Sequence, residues 1–250
     1  MKGLDCGTGN FVCSDDDGIR LQRNAFLSID KSTTTTKQLK ILNVPYVELG
    51  SKLHIVGKKA FEYAQVFGST ELRRPMSQGL LNPVEQDAFP ILRVIVSQLL
   101  GEPKNKGEKV VYCIPGKPLD DDREVDYHED VMKQVIEASG YEARAINESV
   151  ALGNAGLVDN QLTGIAISMG AGMCNIAIMY AGMSALQFSV SKGGDWIDQN
   201  VCKDTGISSA KAQAIKEAGN YTIDPKSDDP RTREQQAVKT YYEVLIRYLL

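Results

Sequence analysis

Two glycine-bearing turns hold the residues most able to do chemistry. They are Leu4-Asp5-Cys6-Gly7-Thr8-Gly9-Asn10 and, far downstream, Ser168-Met169-Gly170-Ala171-Gly172-Met173-Cys174-Asn175. Each follows a short apolar run and precedes another. Each therefore reads as a β-hairpin turn, with glycine where a positive φ or a close backbone approach is wanted. Two such turns facing each other would aim backbone N–H groups and small hydroxyls into one cleft. Inward-pointing backbone donors suit a polyphosphate, so the pattern predicts a nucleotide held between two related domains.

The elements that must position these turns are legible as alternation and punctuation. Residues 3–6, 10–14 and 18–29 read as an antiparallel meander, with Ser14-Asp15-Asp16-Asp17-Gly18 as its second turn. Lys31 to Lys37, with four threonines in a row, reads as an exposed loop, and 39–42, 45–49 and 52–56 read as short strands. A helix is expected over 57–67 and another over 83–100, kinked or split by Pro90. A buried-type strand at 109–114 precedes a helix at 123–138 that Gly140 closes, then a strand at 143–146 and a helix at 149–157. The pattern then restarts. Strands at 164–168, 175–180 and 184–190 form a second meander, and Gly193-Gly194 leads into helices at 195–203 and 208–218. A polar stretch, Asp224 to Arg231, separates these from a last helix beginning near Thr232. The strand–turn–strand–strand unit occurs twice, which indicates an internal duplication and an α/β architecture.

Composition removes several function classes. The chain has 250 residues, 42% apolar and 24% charged, with a formal net charge of −4. That is an ordinary globular balance, long enough for two small domains, and it carries no basic footprint for nucleic acid. No apolar run is long enough for a membrane span, and Met1-Lys2-Gly3-Leu4-Asp5 enters a strand with no apolar leader, so export is not expected. Five scattered cysteines (Cys6, Cys13, Cys113, Cys174, Cys202) read as small thiols in a reducing compartment, and two histidines without a CxxC pair argue against zinc.

Further motifs, in order along the chain, resemble the actin-like ATPase superfamily of actin, MreB, FtsA and the 70-kDa heat-shock chaperones. Asp5–Asn10 looks like the first phosphate loop of that family, and Arg74-Pro75-Met76-Ser77-Gln78-Gly79 is similar to the RPMxxG stretch of MreB. Val110–Pro115 resembles the strand that ends in Val-Pro in the family, with Ile114 replacing the valine. Ile146-Asn147-Glu148-Ser149, followed by Ala151, Gly153 and Gly156-Leu157, looks like the connecting helix INEPxAAAxxxGL of the chaperones. Ser168–Asn175 looks like the second phosphate loop, Lys192–Asp198 matches GGDxFD closely, and Ala212–Lys216 resembles AExxK. The resemblance implies duplicated actin-like (ribonuclease H-like) domains, with mixed sheets flanked by helices and a nucleotide cleft between them. Domain I would span 1–158, with a small subdomain at about 31–72, and domain II would span 159–250.

The resemblance also implies roles, each with a plainer alternative. Asp5 is either a turn-capping carboxylate or the group that orients the water shell of Mg²⁺, a metal that keeps several waters. Gly7, Thr8, Gly9 and Asn10 would face the phosphates. Glu148 is either a helix-start acid favoured by the dipole or the carboxylate that orients the attacking water. Ser168 stands where the family has an aspartate, and Met173 and Cys174 stand where it often has threonines. Serine can donate to a phosphate, as can the backbone at Gly170, Ala171 and Gly172, but it brings no charge. Binding of ATP or ADP with slow or absent hydrolysis is therefore expected. Gly193 and Gly194 form either a plain helix-start turn capped by Asp195 or a turn beside the nucleotide. Asp198 reads as solvent-facing or a local cap. Gln213 replaces the family glutamate that meets the ribose, and Lys216 is either a solvated helix residue or a neighbour of the adenine. His54 and His128 read as ordinary, the latter at a solvated acidic helix start, and Trp196 as packing.

By the same resemblance, the chain would self-associate into filaments or oligomers and serve cell-shape or cell-division proteins, in the cytoplasm or peripheral to the inner face of the membrane. The alternatives are a chaperone-type nucleotide module, a small-molecule kinase of the same fold and a non-catalytic nucleotide sensor. No late glycine-rich adenosine loop follows residue 218, and Ile246–Leu250 lies in an expected apolar helix that needs a covering surface. Either a fragment or a chain completed by another subunit is expected.

Overall fold

A computed structural model describes residues 1–67, 72–219 and 232–250. The polar stretch Asp224–Arg231 lies outside the described residues. In the first half the elements are β1 (Lys2–Cys6), β2 (Asn10–Asp15), β3 (Gly18–Arg23), β4 (Phe26–Asp30), α1 (Thr33–Ile41), β5 (Tyr46–Leu49), β6 (Lys52–Val56) and α2 (Lys58–Phe67). There follow β7 (Leu72–Arg73), β8 (Met76–Ser77), β9 (Leu80–Leu81), α3 (Ala88–Leu100), β10 (Lys109–Ile114), α4 (Val125–Glu137), β11 (Glu142–Asn147) and α5 (Glu148–Gly156). The rest comprises β12 (Gly164–Met169), β13 (Cys174–Tyr180), β14 (Met183–Val190), α6 (Gly194–Thr205), α7 (Ser209–Ala218) and α8 (Arg233–Leu249).

The first sheet runs β11-β10-β1-β2-β3, with β1–β2–β3 as the antiparallel meander and β10 and β11 added in parallel. The second runs β12-β13-β14 and repeats that meander. Parallel strands need crossover connections, and α4 supplies one between β10 and β11. Helix α5 crosses from the end of β11 to the second meander and packs on β12 and β13, joining the two lobes. A core of Leu4, Phe11, Ile91, Ile95, Tyr112, Met132 and Val135 fills the first lobe between the sheet and α3 and α4. Ile176, Val190, Ile197, Val201, Val238 and Leu245 do the same for the second. A smaller sheet, β5-β6-β4-β7, stands on the first lobe.

Four expected elements differ. The threonine run is not a loop: Ser32 accepts a hydrogen bond from the Thr35 amide and starts α1, which continues through the strand expected at 39–42. An N-cap and one buried leucine, Leu39, outweigh the low helix propensity of threonine. The long strand at 18–29 is two strands in two sheets: the β2–β3 ladder ends with the Asn24 amide on the Gly9 carbonyl, and from Phe26 the chain pairs with β6 and β7 instead. The helix expected from Pro83 begins at Ala88, so Pro90 falls in its first turn, where a missing N–H costs little. Among the described residues, no helix is long and apolar enough to cross a membrane.

Phe11 is fully buried in the first core. Its truncation to alanine should cost about 3–5 kcal/mol, read as a lower urea midpoint with an unchanged slope.

Candidate functional site

The hairpin turn between β1 and β2 and that between β12 and β13 converge on one cavity of about 290 Å³. Asp5, Gly7, Thr8, Gly9, Asn10, Glu148, Ser168, Gly170, Ala171 and Gly172 all line it, together with Cys113 and Asn175. The loops touch across the gap. A Cβ on Gly172 would lie 2.5 Å from Thr8 Oγ1 and 2.6 Å from the Gly79 nitrogen, so only glycine fits there. Thr8 Oγ1 accepts the Gly79 amide at 2.9 Å, fixing the β8–β9 hairpin against the first loop. From behind, Asn24 donates to the Gly7 carbonyl.

Glu148 starts α5 and is held at both oxygens. Ser168 Oγ donates to one, and Asn175 Nδ2 donates to the other at 2.9 Å. Asn175 in turn accepts the Gly116 amide at 2.9 Å, so one amide side chain ties β13 to the end of β10 and to Glu148. Burial and then the charge of Glu148 push Asp5 up to about 6. Burial also raises Glu148, against the lowering effect of the Ser168 bond. Cys113 is pushed up to about 12 by burial and the two carboxylates. Among the described residues, no lysine, arginine or histidine lines the cavity.

The remaining expected residues sit beside the cavity rather than in its wall. Gly193 has no room for a side chain: a Cβ would lie 2.5 Å from the Gly170 carbonyl oxygen. The Gly194 and Asp195 amides bond the carbonyls of Gly170 and Ala171, so this turn buttresses the second loop. Asp195 does not cap α6. It accepts Arg74 Nη1 at 2.7 Å across the lobes. Asp198 is buried, not solvent-facing, and pairs with Lys216, which also donates to the Gly194 carbonyl. Gln213 bonds Glu217 along α7. His128, expected at a solvated helix start, is 1% exposed, because α4 turns that face toward the first core. Trp196 packs edge-on to Tyr241.

A polar latch closes the lobes further out. Asp120 accepts the Ser191 amide at 2.6 Å and Lys192 Nζ at 2.7 Å, and Asp121 accepts the Ser191 hydroxyl. Arg123 holds Asp121 and donates to the Ser77 carbonyl. Sequence reading assigned no role to Asn175, Arg74 or this aspartate pair. The available signal for Asn175 was a lone amide at the start of the apolar strand Cys174–Tyr180.

The residues fit a metal–nucleotide pair. Two buried carboxylates with raised pKa values would be relieved by a nearby dication, glycine loops from both meanders line the gap, and the Asn10 side-chain oxygen is buried without a partner. Two copies of one meander closing on a glycine-lined gap define an actin-like fold. Solved structures share it. A MamK double helical filament aligns at TM-score 0.71 and 18% identity over 99% of this chain and 76% of that one. MreB5 of Spiroplasma citri bound to AMPPNP aligns at 0.67 and 14% over 99% and 76%. The ethanolamine utilization protein EutJ from Carboxydothermus hydrogenoformans aligns at 0.55 and 17% over 99% and 69%. At these identities the likeness is one of fold. The volactin family matches residues 1–250, and the chain belongs to that family. No curated protein matches it.

The raised pKa of Asp5 has a thermodynamic sign. Between 3.8 and about 6 the folded chain binds more protons than the unfolded one, so stability falls as pH rises through that window and stays reduced above it. Asp5→Asn should raise Tm at pH 7 and flatten that fall in denaturation series. A parental pH profile in the variant would remove Asp5 as the group responsible.

Proposed function

We propose that this chain is an actin-like assembly protein that binds ATP or ADP with Mg²⁺ between its lobes and turns nucleotide over slowly. The observation that carries the reading is the pair of glycine loops, one from each meander, lining one gap with Asp5 and Glu148. The MreB5 neighbours were crystallised with AMPPNP and ADP, and the MamK neighbour is a filament. Those facts support nucleotide binding and self-association here. The reading takes residues 1–158 as one lobe, with 31–72 as its small subdomain, and 159–250 as the other.

In this reading the backbone amides of Gly7–Asn10, Ala171 and Gly172, with the Thr8 hydroxyl, would hold the phosphates, while the Gly170 amide keeps the second loop closed on the Met173 carbonyl. Asp5 and Glu148 would face the water shell of a bound Mg²⁺, which would supply the positive charge that the side chains lack. Glu148 orients the attacking water, since phosphoryl transfer needs positioning more than covalent help. Ser168 weakens this step in two ways. It brings no carboxylate, and its hydroxyl occupies a Glu148 lone pair that water would otherwise use. The Gly193–Gly194 turn holds the second loop in shape. The reading assigns the ribose and adenine to Gln213 and Lys216, which would have to leave their partners Glu217 and Asp198 to meet them.

Titration calorimetry with ATP and ADP should show binding in Mg²⁺, with chelation weakening it at least about a hundredfold, because phosphate would otherwise meet two carboxylates and no cation. Metal-independent binding of equal strength would sink the assignment of Asp5. Phosphate release should be slow in the parent and at least about tenfold faster in Ser168→Asp, equal to some 1.4 kcal/mol of barrier. A variant no faster than the parent would overturn the role given to Ser168. Nucleotide-dependent sedimentation and electron microscopy test assembly, and a monomer at high concentration with ATP and Mg²⁺ counts against it.

A further inference from the structure

A second cavity, of about 690 Å³, lies away from the phosphate loops, between β9, the turn at 82–87, the start of α3 and the first turns of α4. That volume is typical of a small-molecule pocket. Leu80, Phe89, Tyr127 and Val131 form apolar walls. His128 lines the same space, is 1% exposed, and has no hydrogen-bond partner at either ring nitrogen. Burial lowers its pKa to about 4, so the ring is neutral at pH 7, with one donor and one acceptor.

Charge narrows the ligand class. The cavity's one arginine, Arg123, is committed to Asp121 and to the Ser77 carbonyl. Glu85 is committed to Arg73, and Glu124 stands exposed at the rim. Among the described residues lining the cavity, an anion would find no free cation and would meet a carboxylate. We propose that this cavity binds an uncharged amphipathic small molecule, with an aromatic or short aliphatic body on the apolar walls and one hydroxyl or amide paired to His128 once a small turn of the buried ring uncovers one of its nitrogens. The site is joined to the phosphate loops by a short path: Leu80 follows Gly79, whose amide bonds Thr8. The proposal does not depend on nucleotide binding.

The test uses the full chain, ring-labelled at histidine, with 4-ethylphenol as the probe. The chain has two histidines, so His128→Gln assigns the signals. A saturable shift of the His128 ring signals with His54 unmoved is expected. Toluene should bind about tenfold more weakly, for want of the hydrogen bond, and benzoate should give no shift. Gln134→Trp, at the exposed rim, should block the response while the rest of the spectrum keeps its dispersion, and Phe89→Ala should weaken it. No saturable shift up to the probe's solubility limit overturns the proposal. So does benzoate matching 4-ethylphenol, or a response undiminished in Gln134→Trp.

Discussion

The fold turns on the contact between two glycine loops. Thr8, Gly9, Ala171 and Gly172 meet so closely that a single added carbon at Gly172 would strike both Thr8 and the hairpin at Gly79. Everything near the gap serves that approach. Asn24 holds the first loop from behind, and the Gly193–Gly194 turn holds the second. The β8–β9 hairpin bridges them. Packing this tight leaves no slack to absorb a shift, so any widening of the gap must move whole lobes about their joins.

Those joins are polar. Arg74–Asp195 and the Asp120–Asp121 cluster cross the lobes at part-buried positions, whereas Asn175 crosses beside the gap. Ion pairs with access to water contribute little individually, so these contacts hold the lobes only lightly. The buried amide of Asn175 is different. It bonds Gly116 and Glu148 together, so lobe position and the orientation of Glu148 are one coordinate. The fold shared with MamK and MreB5 is thus kept here around a gap in which Glu148 is pinned by two neutral donors.

Much of this was legible from local chemistry. Turn glycines, the repeated meander and the order of helices depend on neighbours in sequence, and the two loops announced themselves. What was hidden depends on distant partners. Asp198 and Asp195 sit three residues apart in one helix start, yet one is buried against Lys216 and the other reaches Arg74. No spacing rule separates them. His128 lies among acidic residues in sequence, but helical rotation carries it to the core side of α4. The threonine run misled because its cap, Ser32, and its single buried leucine outweigh propensity.

Cys113 records the same closure in chemical reactivity. Alkylating reagents and peroxides attack the thiolate. Burial beside Asp5 and Glu148 pushes the Cys113 thiol up to about 12, so it is a poor nucleophile in this arrangement although it lines the cavity. A rearrangement that let water or a cation reach the two carboxylates would bring that sulfur back toward a free thiol, so the alkylation rate of this native cysteine would report the state of the gap.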